Sequence, residues 1–514
     1  MYMTQLRVGV DVGGTNTDAV LLHGNTVLAT AKHPTTPDVA SGISGAIGDV
    51  ISQSGAMPGD IEAVMLGTTH FLNALIEHRN LMPVGILRLC GQATGSAPPM
   101  CGWPQDLAEK VGHYAKLLPG GFEFDGRAIE PLNEAALRDA CAQMQDKRLL
   151  SVAITGVFSA LRPEQEAEAR AIVQDAMPDA YVSISSEIGR LGLLERENAT
   201  ILNACLRDLS AHAITAYEAS LQAIELDCPL YISQNDGTLM SAARAREFPV
   251  MTFASGPTNS MRGAAFLSGI ENAIVVDIGG TTTDVGVLMN GMPRETSAVV
   301  EVAGVRTNFR MPDVYSVGLG GGSIVRSDAV SVGPDSVGHA LMEKALCFGG
   351  DTTTATDIVA ALGQVAFGQP VDLDASLVAQ VDQQMRGIID DMVDRVRLSA
   401  DPIPVILVGG GSILVHHPIE GASRILRPEH FGAANAVGAA MSQVSGEVDR
   451  TLKLNGRPRS AAVEEVKEQA HQACIDAGAL AESIEILDIE HMALAYLTED
   501  ACRIRVKAVG ELAK

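Results

Sequence analysis

Two stretches of the chain carry one pattern, Asp-x-Gly-Gly-Thr-x-Thr-Asp. They are Asp11-Val-Gly-Gly-Thr-Asn-Thr-Asp18 and Asp277-Ile-Gly-Gly-Thr-Thr-Thr-Asp284. Paired glycines permit positive φ and let a ligand approach the backbone closely. Successive N–H groups in such a turn form a concave anion site, and threonine hydroxyls add donors. An aspartate ending the preceding strand can hold Mg²⁺ directly or through water, because that ion takes oxygen ligands and keeps several waters. The chemistry in view is the binding of a phosphate with its cation. One glycine turn alone is more often an ordinary β-hairpin. Two copies in the same context imply two related halves facing one ligand.

The surroundings of the copies agree. Apolar runs of strand type, Leu6-Arg-Val-Gly-Val10 and Asn272-Ala-Ile-Val-Val276, deliver the chain to Asp11 and Asp277. Ala19-Val-Leu-Leu22 and Val285-Gly-Val-Leu288 carry it away. A buried strand over 61–66 runs through Gly67-Thr-Thr-His70 into a helix over 71–79. A strand feeding a helix through hydroxyl residues makes a ligand edge, so Thr68, Thr69 and Asn73 are substrate candidates; helix capping by Thr69 explains it equally well. Strands over 82–89, 150–158 and 180–185 alternate with helices over 133–145 and 162–176, the pattern of a mostly parallel covered sheet. Residues 91–131, with the lone Trp103, read as an irregular surface excursion. A long helix over 194–223 is the expected crossing between halves. A strand over 404–408 ends in Gly409-Gly-Gly-Ser412, and a small-residue helix over 433–443 suits close packing. From about residue 445 a helix and alternating strands form a small α+β appendix, suited to docking or dimer contact. The expected division is 1–193, 194–445 and 446–514.

The 514 residues are 46% hydrophobic, enough for packed cores, but only 4% aromatic, so base stacking is not expected. A formal charge of −25 argues against nucleic acid and anionic membrane partners, and means that an anionic ligand must be held by local donors and a cation. The eight cysteines form no Cys-x-x-Cys pair and read as free thiols of a reducing compartment. No signal segment or membrane-length apolar run is seen, so the expectation is a cytoplasmic protein.

The two hairpins with Val408-Gly-Gly-Gly-Ser412 resemble the ATP site of the actin, hexokinase and sugar-kinase superfamily. Val8-Gly-Val-Asp-Val-Gly-Gly-Thr-Asn-Thr-Asp18, Gly67-Thr-Thr-x-x-x-Asn-Ala-Leu75, Ser255-Gly-Pro257, Asp277-Ile-Gly-Gly-Thr-Thr-Thr-Asp-Val285 and Gly318-x-Gly-Gly-Gly-Ser-Ile324 are together similar to the hydantoinase/oxoprolinase family, HyuA-like subunit. The resemblance runs from about residue 6 to 440. It implies an α/β fold of two duplicated actin-like (ribonuclease-H-like) halves around a nucleotide cleft, with ATP and Mg²⁺ as cofactors. It implies phosphorylation of a carbonyl oxygen in a small cyclic amide, completed by a HyuB-like partner subunit in an oligomer. Phosphorylation turns a poor electrophile's oxygen into a leaving group, and the transfer needs mainly positioning and charge neutralisation.

Carried over by motif, Gly13, Gly14, Thr15 and Asn16 with Gly279, Gly280, Thr281 and Thr282 cradle phosphates. Asp11 and Asp277 are the catalytic and Mg²⁺-managing carboxylates, and Gly409, Gly410, Gly411 and Ser412 lie against adenosine. Thr69, Asn73, Glu187 and Asp313 are the substrate-side candidates. The chain departs from its family at Ser186 and Tyr315, where histidines are usual, and over 341–349; it is also shorter than typical HyuA-like subunits. These departures leave two alternatives open: a small-molecule kinase acting alone, and a non-catalytic ATP-gated activator or scaffold.

Overall fold

The computed structural model describes residues 6–13, 16–35, 39–296, 299–365, 368–454, 456–493 and 501–513. Strand Leu6–Val12 pairs antiparallel with Asn16–His23, which pairs with Thr26–Pro34. On its other side Leu6–Val12 runs parallel to Ile61–Thr68, and that strand parallel to Leu230–Ser233. The second half repeats this plan. Ala273–Ile278 pairs antiparallel with Thr283–Met289, whose far edge takes Val314–Val317. Its other edge runs parallel to Ile403–Val408, which runs parallel to Ala422–Leu426. The registers coincide too: Asp11 faces Asp18, and Asp277 faces Asp284. Central strands covered on both faces need near-continuous apolar runs, and Val8, Val10, Ile274 and Val276 are fully buried.

Two helices, Ser255–Ser268 and Ala434–Ala440, lie together between the sheets. Their backbones nearly touch. A Cβ on Gly263 would strike the Ala434 carbonyl, and one on Gly438 would strike that of Asn259. The small residues of 433–443 thus do what their size suggested.

Three features differ from expectation. The helix expected over 194–223 is two, Leu193–Cys205 and Arg207–Ala223, meeting at Leu206. The first buries Arg196, Glu197, Asn198, Thr200 and Asn203, and it does so with partners: Arg88 Nε donates to Glu197 Oε1 at 2.8 Å, both side chains being wholly buried. Buried charge without such pairing is strongly destabilising. Second, residues 91–131 contain helix Gln105–Val111 and strand Gly112–Leu118, the edge of a four-stranded sheet with Val84–Leu89, Ser151–Gly156 and Tyr181–Ile184. An exposed edge strand carries polar residues and so lacks an apolar period.

Third, the sheets do not follow the expected limits at 193/194 and 445/446. Leu230–Ser233 and Leu239–Ser241 belong to the first sheet, and Val444–Lys453, Ala501–Gly510 and Glu485–Ala493 extend it to nine strands. The C-terminal strands therefore continue the first half's sheet. Cys502, Ile504, Val506 and Ala508 pack with Val466 and Ala470 of helix Arg459–Asp476 and with Met65 and Leu239 of the first half. One continuous apolar cluster excludes water better than two small ones. Among the described residues no helix is long and apolar enough to cross a membrane.

Candidate functional site

Both glycine turns close in the same way. Gly13 N donates to Asn16 O at 3.0 Å and Gly279 N to Thr282 O at 2.9 Å. Gly14 and Thr15 lie outside the described residues. Gly13, Gly279 and Gly280 do not take the positive φ expected of them; their use is the lack of a side chain. A Cβ on Gly280 would meet nothing within 4 Å, and Thr281 and Thr282 are exposed, so this turn presents its edge to a ligand. The turn is braced from behind. Gly321 N donates to Gly279 O at 3.0 Å, Gly322 N to Gly280 O at 2.7 Å, and Thr283 Oγ1 to Leu319 O at 2.6 Å. The glycine cluster after residue 317 is thus a support for the second turn, a role its sequence did not disclose. The first turn is braced more lightly, by Thr35 Oγ1 donating to Gly13 O at 2.8 Å.

Asp11 is 6% exposed and Asp277 half-buried. Each sits beside a glycine of the neighbouring parallel strand. A Cβ on Gly67 would lie 2.8 Å from Asp11 Oδ1, and one on Gly409 would overlap Asp277 Oδ1. Gly67 faces Asp11 in register, and Gly409 follows Val408, which faces Asp277. Burial pushes the Asp11 carboxyl up to about 7, with Asp18 and Asp277 adding to the rise and the Asn435 amide opposing it. Burial pushes Asp277 up to about 6, opposed by the Ser260 hydroxyl and aided by Asp284 and Asp18. Charge on each hairpin thus acts on the other, Asp277 on Asp11 and Asp18 on Asp277. Asp18 and Asp284 are raised as well, both mainly by burial. Asp18 pairs with Lys32 at 2.7 Å, and Ser316 donates to Asp284.

Such carboxylates, costly to ionise as they stand, fit a hard divalent cation, which would supply the missing positive charge through oxygen ligands. The open turns beside them fit the phosphates that such a cation accompanies. Asp11 and Asp277 would be the residues to hold such an ion, directly or through water.

Thr68 and Ser255 join the substrate edge to the helix Ser255–Ser268. Ser255 Oγ lies 3.3 Å from Thr68 N, as acceptor, and donates to Thr68 O at 3.1 Å. Thr69 stands at the N-cap of helix His70–Ile76 but its side chain makes no capping bond; Thr68 Oγ1 accepts from His70 N at 3.1 Å instead. Thr69 is left to receive Asn73 Nδ2 at 3.4 Å, both residues half-buried. Asn259, fully buried, donates to Ser233 Oγ at 3.1 Å, and its Oδ1 has no hydrogen-bond partner among the described residues. Its amide also crowds Gly67 beside Asp11. Asn259, Asn435, Ser260 and Lys32 are residues of this candidate site that reasoning from sequence did not single out, since none stands in the duplicated pattern; Gly67 was read as the start of a ligand edge, not as room for Asp11.

Glu187 and Asp313 are each held by an arginine. Arg170 Nη1 lies 2.8 and 2.9 Å from the Glu187 carboxylate oxygens, and Arg294 Nη2 lies 2.6 Å from Asp313 Oδ2. The surroundings of two departures from the family pattern are these. Ser185, beside Ser186, is buried in a network in which it donates to Glu166 Oε1 at 2.6 Å and accepts from Arg196 Nε at 2.9 Å. Tyr315 packs on the second half's apolar core and accepts from Arg395 Nη1 at 2.7 Å, with the guanidinium 4.9 Å from its ring centre. On the stretch expected to lie against adenosine, Gly410 is exposed and Gly411 and Ser412 are buried, a Cβ on Gly411 striking Gly279 O and the Ile278 side chain.

Comparison with known proteins adds independent observations. The profile described as the hydantoinase/oxoprolinase N-terminal region matches residues 7–177, and that described as hydantoinase/oxoprolinase matches 196–369. The caprolactamase subunit alpha of Pseudomonas jessenii is 28% identical, the match covering 88% of this chain and 73% of that protein. The acetophenone carboxylase gamma subunit of Aromatoleum aromaticum is 27% identical over 70% of this chain and 53% of its own. Both names designate subunits. The crystal structure of ATP-dependent caprolactamase from Pseudomonas jessenii superposes with a TM-score of 0.78 at 23% identity, covering 99% of this chain and 88% of that one, a likeness of fold.

Proposed function

The chain belongs to the hydantoinase/oxoprolinase family, and from that premise we propose that it is an ATP-dependent amidohydrolase subunit acting on a small cyclic amide. Its cleft activates the ring carbonyl by phosphorylation, and a HyuB-like partner subunit completes hydrolysis. The observation that carries this reading is the pair of matching hairpins, Asp11 facing Asp18 in one and Asp277 facing Asp284 in the other, with the Asn435 amide of the second half on Asp11. Phosphates held by both turns lie between carboxylates that need a cation. Mg²⁺ with ATP would supply the phosphoryl group and the charge neutralisation. The chain's own residues do the rest. Gly13 and Asn16, together with Gly279 to Thr282, hold phosphate oxygens. Asp11 and Asp277, given room by Gly67 and Gly409, fix the ion. The Gly409–Ser412 stretch covers the adenosine. Thr69 and Asn73, at the helix that follows Gly67, orient the amide. Glu187 and Asp313 remain substrate-side candidates that would have to leave their arginines to reach it. The halves act as the two jaws, a cytoplasmic setting supplies ATP, and the protein works as an oligomer with its partner.

The test is an ATP-hydrolysis screen over lactams, hydantoins and oxoproline, with and without the protein encoded beside this one. Amide-stimulated ADP release with ring opening supports the proposal. A stable phosphorylated product would favour a kinase acting alone. Turnover that ignores every small molecule but responds to a protein would favour an ATP-gated activator.

A further inference from the structure

Asp11, Asp18 and Lys32 occupy one rung across three neighbouring strands, Asp11 facing Asp18 and Asp18 facing Lys32. Asp277, Asp284 and Ser316 occupy the corresponding rung of the second half. Residues directly opposed across strands present their side chains on one face of the sheet. The duplication therefore reproduces two carboxylates and then diverges, with an ammonium on one side and a hydroxyl on the other.

Folding alone does not call for that ammonium. Asp284 meets the same burial as Asp18, and in its rung a hydroxyl suffices as partner. Lys32 is moreover poorly placed for a purely structural ion pair, since its side chain is 51% exposed. Exposed pairs contribute about 0–1 kcal/mol to stability. A flexible four-carbon stem lets the ammonium move between partners. Its charge also reaches across the cleft, being felt by both Asp11 and Asp277. In a protein whose net charge is −25, the overall field repels an entering anion, so a local cation counts for more.

We propose that Lys32 is a catalytic residue: held by Asp18 when no anion is present, its ammonium turns to the terminal phosphoryl group of the nucleotide and neutralises charge during transfer. This rests on the nucleotide reading above. In the step the bond from the terminal phosphorus to the bridging oxygen breaks, and its electron pair leaves with ADP. A bond forms from that phosphorus to the amide oxygen. The ring nitrogen takes up the positive charge as an iminium, whose N–H proton is then free to leave. Lys32 keeps its proton throughout.

The test compares full-length wild type with Lys32→Met and Lys32→Arg. Calorimetry measures affinity for ADP with Mg²⁺, and for the same mixture with aluminium fluoride, which mimics the transferring phosphoryl group. Lys32→Met is expected to bind ADP within about threefold of wild type yet lose about a hundredfold of the tightening that fluoride brings, the scale of removing one charge-stabilising donor. Lys32→Arg keeps part of that tightening. Wild-type tightening in Lys32→Met overturns the proposal. So does an equal loss of ADP and fluoride affinity, which marks a structural counter-ion only. Wild type that binds ADP without tightening removes the role of Lys32 and leaves nucleotide binding standing. Wild type that binds no nucleotide sinks the reading underneath.

Discussion

Asn435 donates its side-chain amide to Asp11 Oδ2 at 3.3 Å, joining the helix near the end of the second half to the first carboxylate of the chain. The contact is possible because Ala434–Ala440 comes close to the opening strand: a Cβ on Gly9 would strike the Ala436 carbonyl. Asn435 thus connects the packing of the two halves to the charge state of the cleft.

Loss of that amide raises the Asp11 carboxyl further, because the hydrogen bond favours its ionised form. Asn435→Ala is expected to move the acidic limb of Mg²⁺–nucleotide binding to higher pH by about half a unit to one unit. Nucleotide titrations between pH 5.5 and 8.5, a window of about three units chosen around the carboxylate's position, decide the matter; an unmoved limb removes Asn435 from the site.

Asp11→Asn is expected to stabilise the ligand-free protein. The folded carboxyl lies at about 7 against an ordinary 3.8. Wild type therefore keeps the full contribution of this group below its unfolded value, and loses it as pH rises through the folded one. The difference approaches about 4 kcal/mol above neutrality and disappears in acid. Thermal melts of both proteins across pH 4 to 8, roughly the span over which the linkage operates, should diverge on the alkaline side. Equal melting temperatures there would mean that burial does not penalise Asp11.

Asp277→Ala is expected to abolish ATP turnover while leaving the circular dichroism spectrum unchanged, because the carboxylate answers to the ion and not to the core. A loss of at least about a hundredfold in kcat is the scale for removing one element of charge stabilisation. Turnover like that of wild type would remove the cation role.

Gly409→Ala tests the room made for Asp277. Gly409 has φ near +80°, and an added Cβ overlaps the Asp277 carboxylate. The backbone term alone costs about 1–3 kcal/mol, and displacement of the carboxylate should weaken Mg²⁺–nucleotide binding beyond that. Gly387→Ala, on the exposed face of helix Ala375–Val396, is the control: its Cβ would meet nothing within 4 Å. Equal nucleotide affinity in the two variants would show that the space beside Asp277 is unimportant.

Much of this was legible in the chain because the information was local. The repeated Asp-x-Gly-Gly-Thr-x-Thr-Asp announced two matching hairpins, and both form with the same register. The strand over 404–408 and the small-residue helix followed from short patterns of composition. Contacts between distant segments were not legible. The expected appendix continues the first sheet because Ala501–Gly510 lies between Val444–Lys453 and Glu485–Ala493, pairings that no local pattern encodes. Strand Gly112–Leu118 escaped notice because an edge strand need not alternate.

The residues proposed to bind a phosphate were written in adjacent positions, since a turn is built from neighbours and its N–H groups, glycines and hydroxyls come from one short run. The environment that gives those residues their chemistry came from elsewhere: Gly67 and Gly409 from parallel strands, Asn435 and Ser260 from the two central helices, Lys32 and Ser316 from third strands. Desolvation and charge coupling depend on distance in space rather than along the chain. The composition of the turns could therefore be read in advance, whereas the elevated carboxyls of Asp11 and Asp277, set mainly by burial, and the difference between the Lys32 and Ser316 sides, set by strand pairing within each half, arose only when the chain folded.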